Sequence, residues 1–309
     1  MEISVPETRQ LLAEYIAKHE RKQSHISREM GVSTAVLSQF LSDTYPGDNV
    51  TVAQKAMQFL EMGAARERMA GSAPICLSVG NTQKILREVK MAHEANHILL
   101  VYGPAGCSKT MTLKYYAQNT NGVIYVEADA TISSQRNILI SVLEELGETP
   151  QRASTAQIMR KILSLVHDTN RLLIIDEAQH LNERAFDTLR AINDKAKIGI
   201  IFSGNRSILG RMFGRKEPEY DTLFSRIGGF CELYNQHTLE DISGIYKNFF
   251  VNEKCAEHLQ RVATRKGGLR RMDKEYRLAV NIANTLQQDL SLPLLQEADK
   301  RLNVIGRAM

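Results

Sequence analysis

The sequence predicts an α/β fold built on a five-stranded parallel sheet, with an all-helical segment before it and another after it. Three observations carry this. Short apolar runs alternate with helical patterns between residues 96 and 236. The first run passes directly into a glycine-rich loop and then a helix, and the third ends in an adjacent Asp-Glu pair. Before and after this stretch only helical periodicity is visible.

The strand candidates are His97–Tyr102, Val123–Val126, Leu172–Ile175, Ile198–Phe202 and Phe230–Leu233. Each is a short apolar run of the kind buried on both faces of a parallel sheet. Helical patterns fill the gaps at Lys109–Gln118, Gln135–Leu146, Thr155–Val166 and Glu183–Asp194. Residues 1–64 read as a helical domain, 65–95 as a linker with a lead-in helix, 96–236 as the α/β core and 237–309 as a helical lid. The linker reading rests on Gly71, Ser72, Pro74 and Gly80.

Composition excludes several classes. At 43% hydrophobic and 24% charged residues the chain is an ordinary globular protein. No apolar run is long enough to span a bilayer, and the N-terminus lacks a secretory pattern, so no membrane partner and a cytoplasmic location are expected. Cys76, Cys107, Cys231 and Cys255 are scattered and form no CxxC pair, which points to free buried thiols rather than a zinc site. The net charge of +4 is mild. Its distribution says more: residues 1–70 are close to neutral, whereas residues 254–277 are strongly basic. Such a stretch is either a phosphate-binding face or a solvated one.

The chemistry is concentrated at strand ends. Gly103-Pro104-Ala105-Gly106-Cys107-Ser108-Lys109-Thr110 follows the first strand and opens a helix. A glycine-rich turn there aims backbone N–H groups at an anion. Lys109 reaches the β- and γ-phosphates of ATP, and the Thr110 hydroxyl serves Mg²⁺. Ser108 stands where the pattern has glycine, and its Cβ crowds the phosphate approach. In RLLIIDEAQHL, Asp176 holds the metal, partly through water, and Glu177 orients or deprotonates the attacking water. The same string matches helicase motifs, but a helicase of that kind needs two such sheets. Asn205, ending IGIIFSGN, sits where a polar side chain fixes the water, or simply makes a turn. Arg226, in TLFSRIGG, is placed to reach a phosphate in a neighbouring subunit. Arg270, in GGLRRM, is placed to reach back from the lid, with Arg271 as its competitor.

The N-terminal segment ISREMGVSTAVLSQFLSD has helix-turn-helix form. Ile26 and Met30 lie on one helix, Gly31-Val32-Ser33 make the turn, and Val36, Leu37 and Phe40 anchor the second. The second helix offers Thr34, Ser38 and Gln39 to bases or phosphates. It carries no cation, so DNA contact is expected to be weak, and protein docking stays open.

Taken in order and spacing, these motifs resemble those of the Mu B family of transposition ATPases, AAA+ P-loop proteins akin to the TnsC and IstB types. The likeness runs from the helix-turn-helix with its trailing YPGDN, through the phosphate loop, IIDEAQHL, IGIIFSGN and LFSRI, to the GGLRR lid helix. The resemblance implies an ATP- and Mg²⁺-dependent protein that assembles as helical filaments on double-stranded DNA with little sequence preference. It would deliver that DNA to a DDE transposase, which stimulates hydrolysis. It also implies that Lys109, Thr110, Asp176, Glu177, Asn205, Arg226 and Arg270 take the roles given above. Arg136, Arg160 and Lys161 are candidates by placement for gripping the DNA backbone. Two other functions stay open on the same core: a helicase loader, and a nucleotide-switched transcription regulator.

Overall fold

The computed structural model describes residues 4–19, 22–70, 75–149, 152–213, 227–246 and 253–307. The chain separates into two compact units, Met1–Ser72 and Ala73–Met309.

The first unit is helical: α1 (Val5–His19), α2 (Gln23–Met30), α3 (Thr34–Leu41) and α4 (Asn49–Ala70). Gly31 ends α2 in the left-handed conformation, at φ 64°, which a residue with a Cβ rarely adopts. Ser33 starts α3 by accepting a hydrogen bond from the Val36 N–H. The turn therefore has its own local chemistry, and Ile26, Met30, Leu37 and Phe40 meet in one core with Leu12, Val52, Ala56 and Phe59. Helix α4 continues to Ala70, into the stretch expected to begin a linker.

The second unit begins with α5 (Gly80–Glu94). It then alternates β1 (Ile98–Tyr102), α6 (Lys109–Asn119), β2 (Val123–Glu127), α7 (Gln135–Glu145), α8 (Thr155–Val166), β3 (Leu172–Asp176), α9 (Glu183–Ala196), β4 (Gly199–Gly204), α10 (Ser207–Phe213) and β5 (Ile227–Glu232). All strand pairs are parallel, in the order β2-β3-β4-β1-β5. The last strand starts three residues earlier than its apolar run: Ile227 and Gly229 pair with β1 on either side of a register shift that skips Gly228, and the two glycines add no apolar side chain to the pattern. Alternate residues of the strands serve opposite faces. Ile98 and Leu100 join Ile138, Ile162 and Phe186 of α7, α8 and α9. Leu99 and Val101 join Ile85 and Val89 of α5 and Leu113 of α6. Each fully buried aliphatic side chain contributes roughly 1.5–3 kcal/mol, which is why these runs carry no polar face.

The chain closes with α11 (Leu239–Ile245), α12 (Glu253–Ala263), α13 (Gly268–Leu286) and α14 (Leu292–Arg307). They share a separate core of Ile242, Leu259, Val262, Met272, Tyr276 and Leu295. Inside it the His258 Nε2 and Glu275 Oε1 atoms lie 2.6 Å apart. Among the described residues no helix is long and apolar enough to cross a membrane. Cys107, Cys231 and Cys255 are buried thiols, but Cys76 is only half-buried.

Candidate nucleotide site

The strand order decides which loops meet. Parallel strands put all their carboxyl ends on one edge, and β4 lies between β3 and β1. The loop after β1, the acidic pair ending β3 and Asn205 after β4 therefore share that edge. At the rim, Tyr102 pairs with Gly204 on one side and Glu232 on the other.

Residues 103–108 form a tight loop against this edge. A Cβ on Gly103 would stand 2.6 Å from the Leu233 carbonyl oxygen. Gly106 has φ 87°. Cys107 is buried and its thiol donates to the Pro104 carbonyl at 2.9 Å. Burial pushes that thiol up, so it is a packing group rather than a nucleophile. Lys109, at the first turn of α6, is 9% exposed, and its Nζ donates to the Gly103 and Pro104 carbonyls at 2.9 Å each. An arriving phosphate oxygen would replace these neutral acceptors with a charged one, roughly doubling the strength of each bond. Thr110 is half-buried beside it. Ser108 adopts φ 68°, ψ 9°, so the position that the pattern reserves for glycine keeps a glycine-like backbone here with a serine on it.

Asp176 is fully buried at the end of β3. Its Oδ1 accepts the Glu177 N–H at 2.9 Å, and its Oδ2 accepts the Tyr125 hydroxyl from β2 at 2.9 Å. Burial, then the facing Asp176 charge, raise the Tyr125 phenol far above its usual value, so it stays a donor. Each Asp176 oxygen keeps a second lone pair. Among the described residues no group of three or more His, Cys, Asp or Glu could hold a metal. The donors present, one carboxylate and one hydroxyl, suit an ion that keeps most of its waters and takes the rest of its shell from phosphate, as Mg²⁺ does.

Glu177 stands in the left-handed region at φ 53°, and its carboxylate accepts the Gln179 side-chain N–H. Asn205 is exposed, and its Oδ1 accepts from the Ser207 N–H at 2.8 Å and the Ser207 hydroxyl at 2.6 Å. The turn-making role of Asn205 is therefore present, and its amide NH₂ is the end left for water. Arg226 lies outside the described residues.

The C-terminal part of the chain touches the loop directly. The Leu269 N–H donates to the Gly106 carbonyl at 2.9 Å, and Asn235 Nδ2 donates to the Ala105 carbonyl at 3.3 Å. A Cβ on Gly106 would overlap the Gly267 carbonyl, and one on Gly268 would stand 2.6 Å from Asn235 Oδ1. The paired glycines of GGLRR are thus a close-approach device. Arg270 follows Leu269, is exposed, and has no ion pair among the described residues. Arg271 is tied to Asp299 and Asn303 at 2.7 Å each. The lid's own packing takes Arg271 and leaves Arg270 facing outward.

Thr34, Ser38 and Gln39 are exposed on α3, with the Thr34 hydroxyl 3.1 Å from that of Ser27. Arg136 donates to the Ala153 carbonyl at 2.8 Å, and Lys161 pairs with Glu148 at 2.8 Å. Arg160 is exposed on α8. Of the basic stretch at 254–277, Arg265, Arg271 and Arg277 are in ion pairs. Sequence reasoning assigned no role to Tyr125, Gln179 or Asn235. Gln179 was in view in DEAQHL, but nothing in spacing tells where a carboxamide points.

Fold and site together define an ATP hydrolase of the AAA+ class. Residues 92–212 match the family model for an AAA domain, and residues 225–302 match that for the C-terminal part of the Mu B transposition protein. A Mu-like prophage FluMu DNA transposition protein B from Haemophilus influenzae is 30% identical over 86% of this chain and 93% of its own. The ATP-dependent target DNA activator B of Escherichia phage Mu is 27% identical over 98% of this chain and 97% of its own. The chain belongs to the Mu B family of transposition proteins. In fold it resembles the Aeropyrum pernix ORC1 protein, solved in complex with DNA, at TM-score 0.55 and 15% identity, covering 77% of this chain and 69% of that one.

Proposed function

We propose that this protein is an ATP-dependent activator of target DNA for transposition. It would coat duplex DNA with little sequence preference as a helical filament and hand it to a DDE transposase. The observation that carries the reading is the contact between loop and lid: the Gly106 carbonyl, in the phosphate loop, is held by the Leu269 N–H. Nucleotide in the loop then bears on the orientation of the lid, and so on how one protomer meets the next. The names of the relatives, a transposition protein and target DNA activators, support the same reading.

In this mechanism the loop amides and Lys109 bind the triphosphate. Thr110 and Asp176 would hold Mg²⁺, which supplies charge neutralisation of the phosphates when bound. Glu177 orients the attacking water and accepts its proton, and Asn205 steadies that water through its NH₂. Arg270 adds positive charge from the lid, and Arg226 does so from a neighbouring protomer. Each protomer's weak DNA contacts, among them Arg136, Arg160, Lys161 and the Thr34, Ser38 and Gln39 face, add along the filament. The exposed Lys161–Glu148 pair costs little to exchange for a phosphate, about 1 kcal/mol or less. We further propose a division into a helix-turn-helix domain at 1–64, a connector at 65–95, the ATPase core at 96–236 and the lid at 237–309, working in the cytoplasm of the host cell.

Electron microscopy with plasmid DNA tests the reading. Regular coats are expected with ATP, and bare DNA with ADP or with Lys109→Ala. Binding should fall steeply with salt. Coats of normal density formed by Lys109→Ala would overturn it.

A further inference from the structure

We propose that Gln179 is a positioning residue for ATP hydrolysis, a strut that fixes the Glu177 carboxylate relative to the end of β4. Three observations meet on one side chain. Its Nε2 donates to Glu177 Oε2. Its Oε1 accepts the Asn205 backbone N–H at 3.3 Å. It is only 9% exposed, so water does not compete freely for either end. A fourth feature makes room for it: a Cβ on Gly204 would overlap Gln179 Oε1. The two residues it joins are those assigned to the attacking water, Glu177 through its carboxylate and Asn205 through its backbone N–H, so this inference rests on the hydrolytic reading of the site.

The physical argument is one of direction. A glutamate carboxylate on three rotatable bonds has many orientations, and Glu177 begins from a strained left-handed backbone. One oxygen tied to a buried carboxamide leaves the other as the free base, with its plane fixed. The carboxamide cannot flip without facing its own acceptor toward a carboxylate and its donor toward an N–H, so its orientation is set by charge as well as by shape. Asn205 is then held at both ends of its residue: its backbone N–H by Gln179, its Oδ1 by Ser207. A shift of either water-handling group drags the other. Charge-assisted bonds of this kind, made inside the protein, orient catalytic groups at little reorganisation cost.

The test separates a strut from a space-filler. Gln179→Met keeps the volume and removes both polar ends. ATP affinity by calorimetry is expected to stay within about twofold, while kcat with duplex DNA present falls about tenfold or more, the equivalent of one lost charge-assisted bond. Gln179→Glu keeps an acceptor for Asn205 but sets a second negative charge beside Glu177, and should be slower still. Hydrogen exchange at the Asn205 amide should speed several-fold in Gln179→Met before any nucleotide is added. Gly204→Ala, whose new methyl would overlap Gln179 Oε1 and come no closer than 3.4 Å to Ile208 Cδ1, should lower kcat alone and add almost nothing in a Gln179→Ala background. Wild-type turnover in Gln179→Met, or fully additive Gly204→Ala and Gln179→Ala losses, would overturn the proposal. Wild-type turnover in Glu177→Gln is a different result and would instead overturn the assignment of Glu177 as the base.

Discussion

Replacing Ser108 with glycine isolates the one departure in the phosphate loop. Ser108 sits at φ 68°, ψ 9°, where a residue with a Cβ pays about 1–2 kcal/mol. Glycine removes that strain but frees the unfolded chain, at a cost of about 0.4–1 kcal/mol. The two effects leave Ser108→Gly between neutral and roughly 1.5 kcal/mol more stable. For a unit of this size that is a melting shift from about zero to a few degrees upward. Nucleotide affinity should hold or tighten, because the methylene no longer stands at the phosphate approach. Ser108→Val is the counterpart, since a β-branched residue in the left-handed region is an outlier; it should melt lower and bind nucleotide more weakly. Calorimetry with ATP and thermal denaturation without it read both effects. A glycine variant that melts well below the parent, or binds ATP more weakly, would refute the claim that Ser108 is a strained occupant of a glycine position.

Three further outcomes follow from the geometry. Tyr125→Phe removes a donor from the buried Asp176 carboxylate and should cost about 1–3 kcal/mol by denaturant titration; unchanged stability would remove Tyr125 from the site. Arg271→Ala strips Asp299 of one of its two guanidinium partners and should lower stability while leaving ATP hydrolysis largely intact. Arg270→Ala should do the reverse, and equal effects of the two on hydrolysis would contradict the assignment. Burial raises the Glu275 carboxyl above the ordinary glutamate value, with His258 opposing. A raised acid contributes stability that is complete below the unfolded value and is lost as pH rises through the folded one. Glu275→Gln should therefore flatten a loss of thermal stability on going from about pH 4.5 toward neutrality, and a slope unchanged by the substitution would count against it.

Much of this protein was legible in its residues alone. Buried strands must be apolar throughout, and the loop motif requires a strand before it and a helix after it, so β1 to β4 and the site loops could be placed by pattern. Thr155–Val166 came out to the residue because Ser154 caps it with a full capping box. The helix-turn-helix was readable because a left-handed glycine and a capping serine are local signals. What tertiary structure decided were directions and neighbours. Sheet order is a property of pairing between distant segments, and only it puts Asn205 between the phosphate loop and Asp176. Gly267 and Gly268 were visible as glycines, but their reason, backbone contact with Gly106, spans some 160 residues of chain. Arg270 and Arg271 are adjacent and chemically identical in sequence; the packing of α14 against α13 gives Asp299 to one and leaves the other exposed. Gln179 has no signal in spacing, because a hydrogen-bonding side chain acquires its meaning from partners that only the folded chain brings within reach.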